Sequence, residues 1–266
     1  MSTRDVQHRF EAELTVPGTA EQVWHAIATA EGISGWMMPT ELEPREGGRV
    51  RFEMGPEMES VGRVTVYEPQ RRIAYEEDWA SLSGHAGADV TPLVSEFLVE
   101  ARSGGTCVVH VVTSAYGTGA EWENEFFAEM TRGWAAMLDN LRLYVAHFSG
   151  ETATSLHAGA TVGGSPEEAI DGFRARLGIG PVGSPATLLG ATGVVERSIP
   201  SHFLVRLEQP VRGLLSFYAY QAESTGVFVA GFLFGADAPA QAEQLQKEWQ
   251  AWLDDVAAET TGPARS

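Results

Sequence analysis

The stretch AEWENEFFAEMTRGWAAMLDNLRLYVAHF, from Ala120 to Phe148, decides the fold of the first half of the chain. Apolar residues recur in it every three or four positions, as they do along one face of an α-helix. This apolar stripe consists of Phe126, Phe127, Met130, Trp134, Met137, Leu138, Leu141 and Tyr144. The spacing predicts a long amphipathic helix that packs against another layer of structure.

The residues before this helix show mainly strand patterns. Residues 7–16 predict a first strand, and Thr19 is the expected N-cap of a helix that starts at Ala20. A second, short helix is expected at Ala30–Trp36. Further strands are predicted at Arg49–Met54, Glu59–Tyr67, Arg71–Trp79, Val94–Glu100 and Thr106–Ser114. An antiparallel sheet with its helices on one face is an α+β fold, and a cleft between sheet and helix can hold a ligand.

The composition changes after Phe148. Residues 149–164 are small and polar, so we expect a linker that leads into a second unit. A helix capped by Ser165 follows, and a final helix is predicted from about Ala238 to Ala258. The Gly- and Pro-rich stretch Gly178–Gly193 predicts a loop. Strands are predicted at Gly193–Ile199, His202–Glu208, Leu214–Gln221 and Gly226–Phe234.

The order of elements therefore occurs twice, which predicts two domains. Residues 1–148 form the first, and residues 165–260 form a smaller, degenerate copy of the same α+β architecture. An unrelated α+β domain in the second half is the alternative.

Composition and charge exclude several classes of protein. The chain of 266 residues is 44% apolar and 20% charged, which suits a globular protein with a buried core. Its net charge of −18 argues against nucleic acid and against an anionic membrane surface as partners. The polar segment Met1–Leu14 lacks the apolar region of a secretory signal, so a cytoplasmic location is expected. The single cysteine, Cys107, is expected to be a buried, inert thiol.

Five segments of the first half carry a family resemblance in combination. They are AEQVWHAIATAEGISGW (Ala20–Trp36), GGRVRFEM (Gly47–Met54), GRVTVYEPQRRIAYEEDW (Gly62–Trp79), SEFLVEARSGGTCVVHVVTSAYG (Ser95–Gly117) and RGWAAMLDNLRLYV (Arg132–Val145). With them, residues 1–148 resemble the activator-of-heat-shock-protein-90-ATPase-like family, within the SRPBCC superfamily of START domains, polyketide cyclases and birch-pollen-allergen-like proteins. The resemblance implies a helix-grip fold, a curved antiparallel sheet wrapped around a long C-terminal helix with an apolar cavity beneath it. The second half matches through its element order and its ending KEWQAWLDDV (Lys247–Val256), which echoes RGWAAMLDNL.

Motifs of catalysis and cofactor binding are missing from the sequence. It contains no G-x-S-x-G elbow, P-loop, dinucleotide fingerprint or H-E-x-x-H pair. Its seven histidines are scattered one per element, so neither a metal site nor a cofactor is expected.

The strand IAYEEDW supplies two of the three catalytic candidates. Alternation places Ile73, Tyr75, Glu77 and Trp79 on one face, and Glu77 becomes a buried acid with a raised pKa if that face is inward. The third candidate, His110, interrupts an apolar strand and could act as an acid or base, although a structural role is the commoner one for such a histidine. The residues expected to line a ligand cavity are Trp36, Met37, Met38, Met54, Tyr75, Trp79, Phe97, His110, Tyr116, Trp122, Phe126, Phe127 and Met130.

The sequence favours a binding protein without catalytic activity. A small hydrophobic molecule would lie between the sheet and the C-terminal helix of the first domain. One alternative is a cyclase or hydratase that acts on a polyketide-like or aromatic substrate through His110, Tyr75 or Glu77. Another is a chaperone-associated interaction protein. Pairing of strands between two copies would give a homodimer, which the sequence does not decide.

Overall fold

The computed structural model describes residues 5–55, 58–221 and 224–261. The chain divides into two compact units, Met1–Thr152 and Ala153–Ser266. Each unit has its own antiparallel sheet and its own long C-terminal helix.

The first unit is a seven-stranded sheet with strand order β1-β7-β6-β5-β4-β3-β2. Its strands are β1 (Val6–Pro17), β2 (Thr40–Leu42), β3 (Arg49–Gly55), β4 (Met58–Glu68), β5 (Arg72–Glu77), β6 (Leu93–Arg102) and β7 (Thr106–Gly117). Its helices are α1 (Ala20–Ala28), α2 (Ala30–Ser34), α3 (Trp79–Leu82) and α4 (Glu121–His147). The first strand, β1, pairs antiparallel with the last, β7.

Local sequence explains where two of these helices begin. Thr19 caps α1: its hydroxyl accepts from the backbone N of Gln22 at 3.2 Å, and Oε1 of Gln22 accepts from the backbone N of Thr19 at 2.9 Å. The carboxylate of Asp78 caps α3 by accepting from the backbone N of Ser81 at 3.1 Å. Trp79, expected at the end of β5, is therefore the first residue of a short helix.

One face of this sheet, here called the inner face, packs against the helices. Trp134 of α4 stacks on Phe10 of β1, with ring centroids 6.0 Å apart, and meets Phe97 of β6 edge-on at 5.8 Å. Trp36, which follows α2, also contacts Phe97, at 6.4 Å. Burial of each such side chain contributes about 1.5–3 kcal/mol, so these rings hold the helices on the sheet.

The opposite, outer face carries ion pairs. Nε of Arg51 donates to Glu59 at 2.6 Å. Nε of Arg72 donates to Glu96 at 2.9 Å. These charged side chains mark the outer face as the solvated side of the sheet. Exposed ion pairs of this kind contribute little stability each.

The second unit repeats this topology with fewer elements. Its elements are β8 (Ala153–Val162), α5 (Pro166–Leu177), β9 (Pro185–Leu188), β10 (Ala191–Ile199), β11 (His202–Gln209), β12 (Arg212–Gln221), β13 (Thr225–Phe234) and α6 (Ala238–Thr261). The strand order is β8-β13-β12-β11-β10-β9, so the first strand again pairs with the last. The interval 149–164, expected to hold a linker and the start of this unit, contains β8. The stretch expected to be a loop, Gly178–Gly193, contains the short strand β9.

Aromatic side chains fill the interior of the second unit. Phe203 and Phe217 stack at 4.3 Å, and Phe217 meets Trp249 of α6 edge-on at 4.9 Å. All three are fully buried. The α+β fold with two tandem helix-grip units, the second degenerate, is confirmed.

Helix α6 also covers the edge strand of its sheet. Oε1 of Gln246 accepts from the backbone N of His157 in β8 at 3.3 Å. The amide of Gln250 accepts from the backbone N of Gly159 at 3.2 Å and donates to its carbonyl at 2.9 Å. Side-chain amides thus bond backbone groups that an edge strand otherwise leaves unpaired.

Candidate functional site

Tyr75 and Glu77 lie on the inner face of the first unit. In the register, Tyr75 pairs with Ser95 of β6, which pairs with Thr113 of β7. Paired residues of an antiparallel sheet point to the same side, so these polar side chains form a row. Ser95 and Thr113 are buried, and their hydroxyl oxygens lie 3.2 Å apart.

Glu77 is a half-buried acid whose side chain has one hydrogen bond from the described residues. The hydroxyl of Ser60 in β4 donates to its Oε1. Burial raises the pKa of Glu77 above its ordinary value, and the bond from Ser60 opposes that shift only in part. Alternation predicts a raised pKa for Glu77 if this face is inward; in the structure the carboxyl is half-buried on the inner face and its pKa is raised.

Tyr75 is almost completely buried, with 2% of its surface exposed. Its ring lies 5.2 Å from that of Phe52 and 6.2 Å from that of Phe97. Burial, and secondly the nearby Glu77 carboxylate, raise the pKa of the Tyr75 phenol well above its usual value. Among the described residues its hydroxyl has no hydrogen-bond partner. This phenol is therefore neutral and able to bond a further group.

A cleft of about 510 Å³ opens beside Glu77, between β4, the end of β5 and the segment before β6. Its lining residues are Val61, Gly62, Arg63, Glu76, Glu77, Asp78, Ala80, Gly87, Ala88, Val90, Thr91 and Pro92. Gly62 pairs with Glu77 in the register, and a Cβ atom at Gly62 would lie 2.0 Å from the carbonyl oxygen of Glu76, so this close approach of β4 and β5 requires glycine. None of these lining residues belongs to α4, whereas the family resemblance implies a cavity beneath that helix.

The six methionines of the described residues all lie outside the buried core. Met54 and Met58, at the tip of the β3–β4 hairpin, are 44% and 49% exposed. The carbonyl of Pro39 accepts from the backbone N of Glu53 at 2.9 Å, which puts the half-buried pair Met37 and Met38 beside this hairpin. Flexible thioethers at a surface suit an adaptable apolar rim.

A second aromatic group gathers where α4 begins. Trp79 is fully buried and lies 4.9 Å from Trp122, 5.2 Å from Phe126 and 5.4 Å from Phe127. Half-buried Met130 packs against the same cluster. These five residues, all expected to line a cavity, do come together, but as a packed group.

His110 lies on the outer face, and this corrects its expected place in the cavity. It pairs with Glu13 of β1 in the register, and Nδ1 lies 3.5 Å from a carboxylate oxygen of that residue. Nε2 lies 3.7 Å from Glu100. The apolar residues Val109 and Val111, not their neighbour His110, occupy the inner face. His110 is thus separated from Tyr75 and Glu77 by the sheet.

Tyr116 also points outward, contrary to its expected position at the cavity mouth. It is 45% exposed and pairs with Gln7. Its backbone N donates to the hydroxyl of Thr91 at 2.8 Å, so its contact with the cleft segment is made by the main chain.

Ser60, Ser95, Thr113 and Phe52 belong to the inner face and were missed by sequence reasoning. A usable signal existed for Ser95, which interrupts the apolar alternation of Leu93, Phe97 and Val99. Pairing that position with Tyr75 requires the register, which a single strand does not contain.

Two findings concern sites of other kinds. Residues 5–55, 58–221 and 224–261 contain no group of three or more His, Cys, Asp or Glu side chains arranged to hold a metal ion. Within the same residues, no helix is both long and apolar enough to span a membrane.

Residues 17–146 match the family model described as Activator of Hsp90 ATPase homolog 1-like protein. The first unit is similar to this family. The matched range starts at the end of β1 and extends almost to the end of α4, so Tyr75, Glu77 and the cleft all lie within the matched part. Comparison with curated proteins gives no match.

Solved structures are similar to this chain at low sequence identity and low TM-score. The Aha1 dimer from Colwellia psychrerythraea is 15% identical, with a TM-score of 0.42 over 53% of this chain and 98% of that one. The di-domain ARO/CYC BexL from the BE-7585A biosynthetic pathway is 14% identical, with a TM-score of 0.43 over 96% of this chain and 99% of that one. Norcoclaurine synthase from Thalictrum flavum is 16% identical, with a TM-score of 0.43 over 55% of this chain and 90% of that one. At these values no role of these proteins transfers to this chain.

Proposed function

We propose that the first unit binds a small, largely apolar molecule in the cleft between β4, the end of β5 and the segment before β6. The carboxyl group of Glu77 orients the molecule, and the apolar wall of the cleft, with Val61, Val90 and Pro92, contributes affinity. A mainly apolar lining with a few polar anchors is how small-molecule sites are commonly built.

The observation that carries this proposal is the cleft of about 510 Å³ with the half-buried carboxyl group of Glu77 in its wall. Among the described residues this carboxyl accepts a hydrogen bond from the neutral hydroxyl of Ser60 and has no cation paired with it. It can therefore accept a hydrogen bond from a molecule in the cleft.

The test uses N-phenyl-1-naphthylamine, a neutral apolar dye, titrated into the full chain and followed by its fluorescence. Ala88 lines the cleft, so Ala88→Trp should fill it and weaken binding about tenfold, or about 1.4 kcal/mol. Ala86 is exposed in the same segment and outside the cleft lining, so Ala86→Trp should bind as the wild type does. Equal affinity in the wild type and Ala88→Trp would contradict the proposal. Native mass spectrometry of the freshly purified chain would identify any compound that the site already holds.

Acid–base catalysis is the second candidate function, and the raised pKa of Glu77 favours it. An acid whose pKa moves toward neutral exchanges protons more readily near physiological pH. Prolonged incubation of a co-purified compound with wild type and with Glu77→Gln separates the two functions. A product that forms only with the wild type supports catalysis, whereas an unchanged compound in both samples supports binding alone. The chaperone alternative rests on the family description only.

A further inference from the structure

The edge strand β1 is both long and open, unlike the other three edge strands in the described part of the chain. The edge strands β2 and β9 span only three and four residues. The backbone of β8 is bonded along its edge by Gln246 and Gln250. Strand β1 spans twelve residues, Val6–Pro17, and has β7 as its one neighbour in the sheet. A long open edge is a place where a strand of another molecule can add to a sheet.

Helix α4 lacks the amides with which α6 covers its edge strand. Alignment of RGWAAMLDNL with KEWQAWLDDV puts Thr131 and Ala135 of α4 at the positions of Gln246 and Gln250 in α6. Both Thr131 and Ala135 are exposed. Among the described residues, no side chain is hydrogen-bonded to the backbone of β1. The first unit thus leaves free the edge that the second unit covers.

The free backbone groups of this edge belong to the odd-numbered residues of β1. The backbone N of Gly18 donates to the carbonyl of Gly105 at 2.8 Å, and these two glycines continue the register of β1 and β7. Even-numbered residues therefore bond β7, and the N–H and C=O groups of odd-numbered residues point away from it. The central residues of this odd-numbered set, all exposed, are Gln7, Arg9, Glu11 and Glu13.

Apolar side chains on the inner face of β1 are only partly covered. Phe10, Ala12 and Leu14 are half-buried. On the inner face of β8, by contrast, Leu156 and Ala158 are 2% and 1% exposed. A strand that adds to β1 would extend the inner face and remove part of this apolar surface from water, which favours association.

Strand β1 is complementary to a second copy of itself in one antiparallel register. When a two-fold axis passes through Phe10, Arg9 lies opposite the partner's Glu11, and Gln7 lies opposite the partner's Glu13. The free backbone groups of these four residues then form about eight hydrogen bonds between the two strands. A shift by two residues in either direction would put Glu11 opposite the partner's Glu11, or Arg9 opposite the partner's Arg9, and like charges repel.

We propose that two copies of this chain form a two-fold symmetric dimer by pairing their β1 strands, with Phe10 at the axis. The two sheets of the first units become one continuous sheet. On its outer face, two Arg9–Glu11 pairs link the copies, and on its inner face Phe10 packs against the partner's Phe10.

Sedimentation velocity of the full chain at about 100 µM, in about 0.15 M salt to screen the net charge of −18, measures the association. We expect a species with twice the mass of one chain. Arg9→Glu puts an acid opposite the partner's Glu11, and Glu11→Arg puts a base opposite the partner's Arg9. Each variant alone should associate at least about tenfold more weakly, because two attractive pairs become repulsive.

An equimolar mixture of these two variants tests the register itself. In the mixed dimer both opposed pairs again join an acid to a base, so the mixture should dimerise as the wild type does. Arg71→Glu makes the same change in charge in the exposed turn between β4 and β5, and should leave the dimer unchanged. Circular dichroism shows whether each variant is folded.

Three outcomes overturn the proposal. A wild-type chain that stays monomeric at this concentration leaves the edge to a strand of a different protein. A dimer that Arg9→Glu and Glu11→Arg do not weaken forms through another surface. Folded variants whose mixture stays monomeric show that the two strands do not meet in this register.

Discussion

The Cα of Gly117 faces the carboxylate of Glu123, and a Cβ atom at Gly117 would lie 2.3 Å from Oε2 of that acid. Gly117 ends β7, and Glu123 lies in the first turn of α4. Gly117→Ala should therefore displace the carboxylate and lower the free energy of unfolding by about 2–3 kcal/mol, as overpacking commonly does. Urea denaturation of the variant and the wild type measures this change in the free energy of unfolding. Gly133→Ala in α4, where the nearest atom is 4.0 Å away, is the control and should raise stability by about 0.5–1 kcal/mol.

Glu123 joins three parts of the first unit, and its charge should stabilise the fold. It accepts from Nε2 of His8 at 2.9 Å and from the backbone N atoms of Thr118 and Gly119 at 3.0 and 2.8 Å. Although burial opposes it, these bonds lower the pKa of Glu123 to about 2. Because the folded pKa is below the ordinary 4.5, the stabilisation is present above pH 4.5 and is lost as the pH falls toward 2.

Glu123→Gln should accordingly lose about 3 kcal/mol of unfolding free energy at neutral pH and much less near pH 2. Urea melts at a series of pH values measure the difference between the two proteins. A difference that is independent of pH would show that shape, not charge, makes Glu123 necessary.

Glu77 should affect stability in the opposite direction. The pKa of Glu77 is raised in the folded protein. Its contribution to the free energy of unfolding is therefore complete below about pH 4.5 and is lost as the pH rises through the folded pKa. Glu77→Gln should match the wild type at acid pH and be the more stable protein at alkaline pH, in the absence of ligand. Thermal melts across this range test the sign. A variant less stable than the wild type at alkaline pH would mean that the carboxylate serves the fold.

His202 in the second unit should make that unit sensitive to acid. It is 4% exposed, and neither ring nitrogen has a hydrogen-bond partner among the described residues. Burial, followed by the charges of Arg197 and Arg174, lowers its pKa to about 4. As the pH is lowered, the unfolded chain takes up this proton before the folded chain does. The free energy of unfolding therefore decreases by on the order of 2–3 kcal/mol between pH 6.5 and pH 4. His202→Leu should remove this slope, and an unchanged slope in urea melts would assign it to other groups.

The strand and helix periods predict most of the fold. Both long helices and most strands of six to twelve residues follow clear patterns. The exceptions are β8, which lies among small and polar residues, and β2, α3 and β9, which span only three or four residues and show no period. The Gly- and Pro-rich surroundings of β9 indicate a loop locally, and pairing with β10 overrides that preference.

The candidate site was predictable only in part. Alternation puts Tyr75 and Glu77 on one face, and burial in three dimensions decides that this face is inward. His110 shows the limit of the pattern, because VVHVV is apolar on both faces. Only its pairing with Glu13 and its proximity to Glu100, acids from two other strands, put the imidazole outside.

Two glutamines of α6, Gln246 and Gln250, limit how copies of this chain can associate. Backbone groups of His157 and Gly159 in β8 are already bonded by Gln246 and Gln250, so an extended segment from another molecule finds them occupied. At the other end of the same sheet, β9 is only four residues long and begins with Pro185, which has no N–H to donate. Even at high protein concentration, neither edge strand of the second sheet should therefore pair readily with a strand of another molecule.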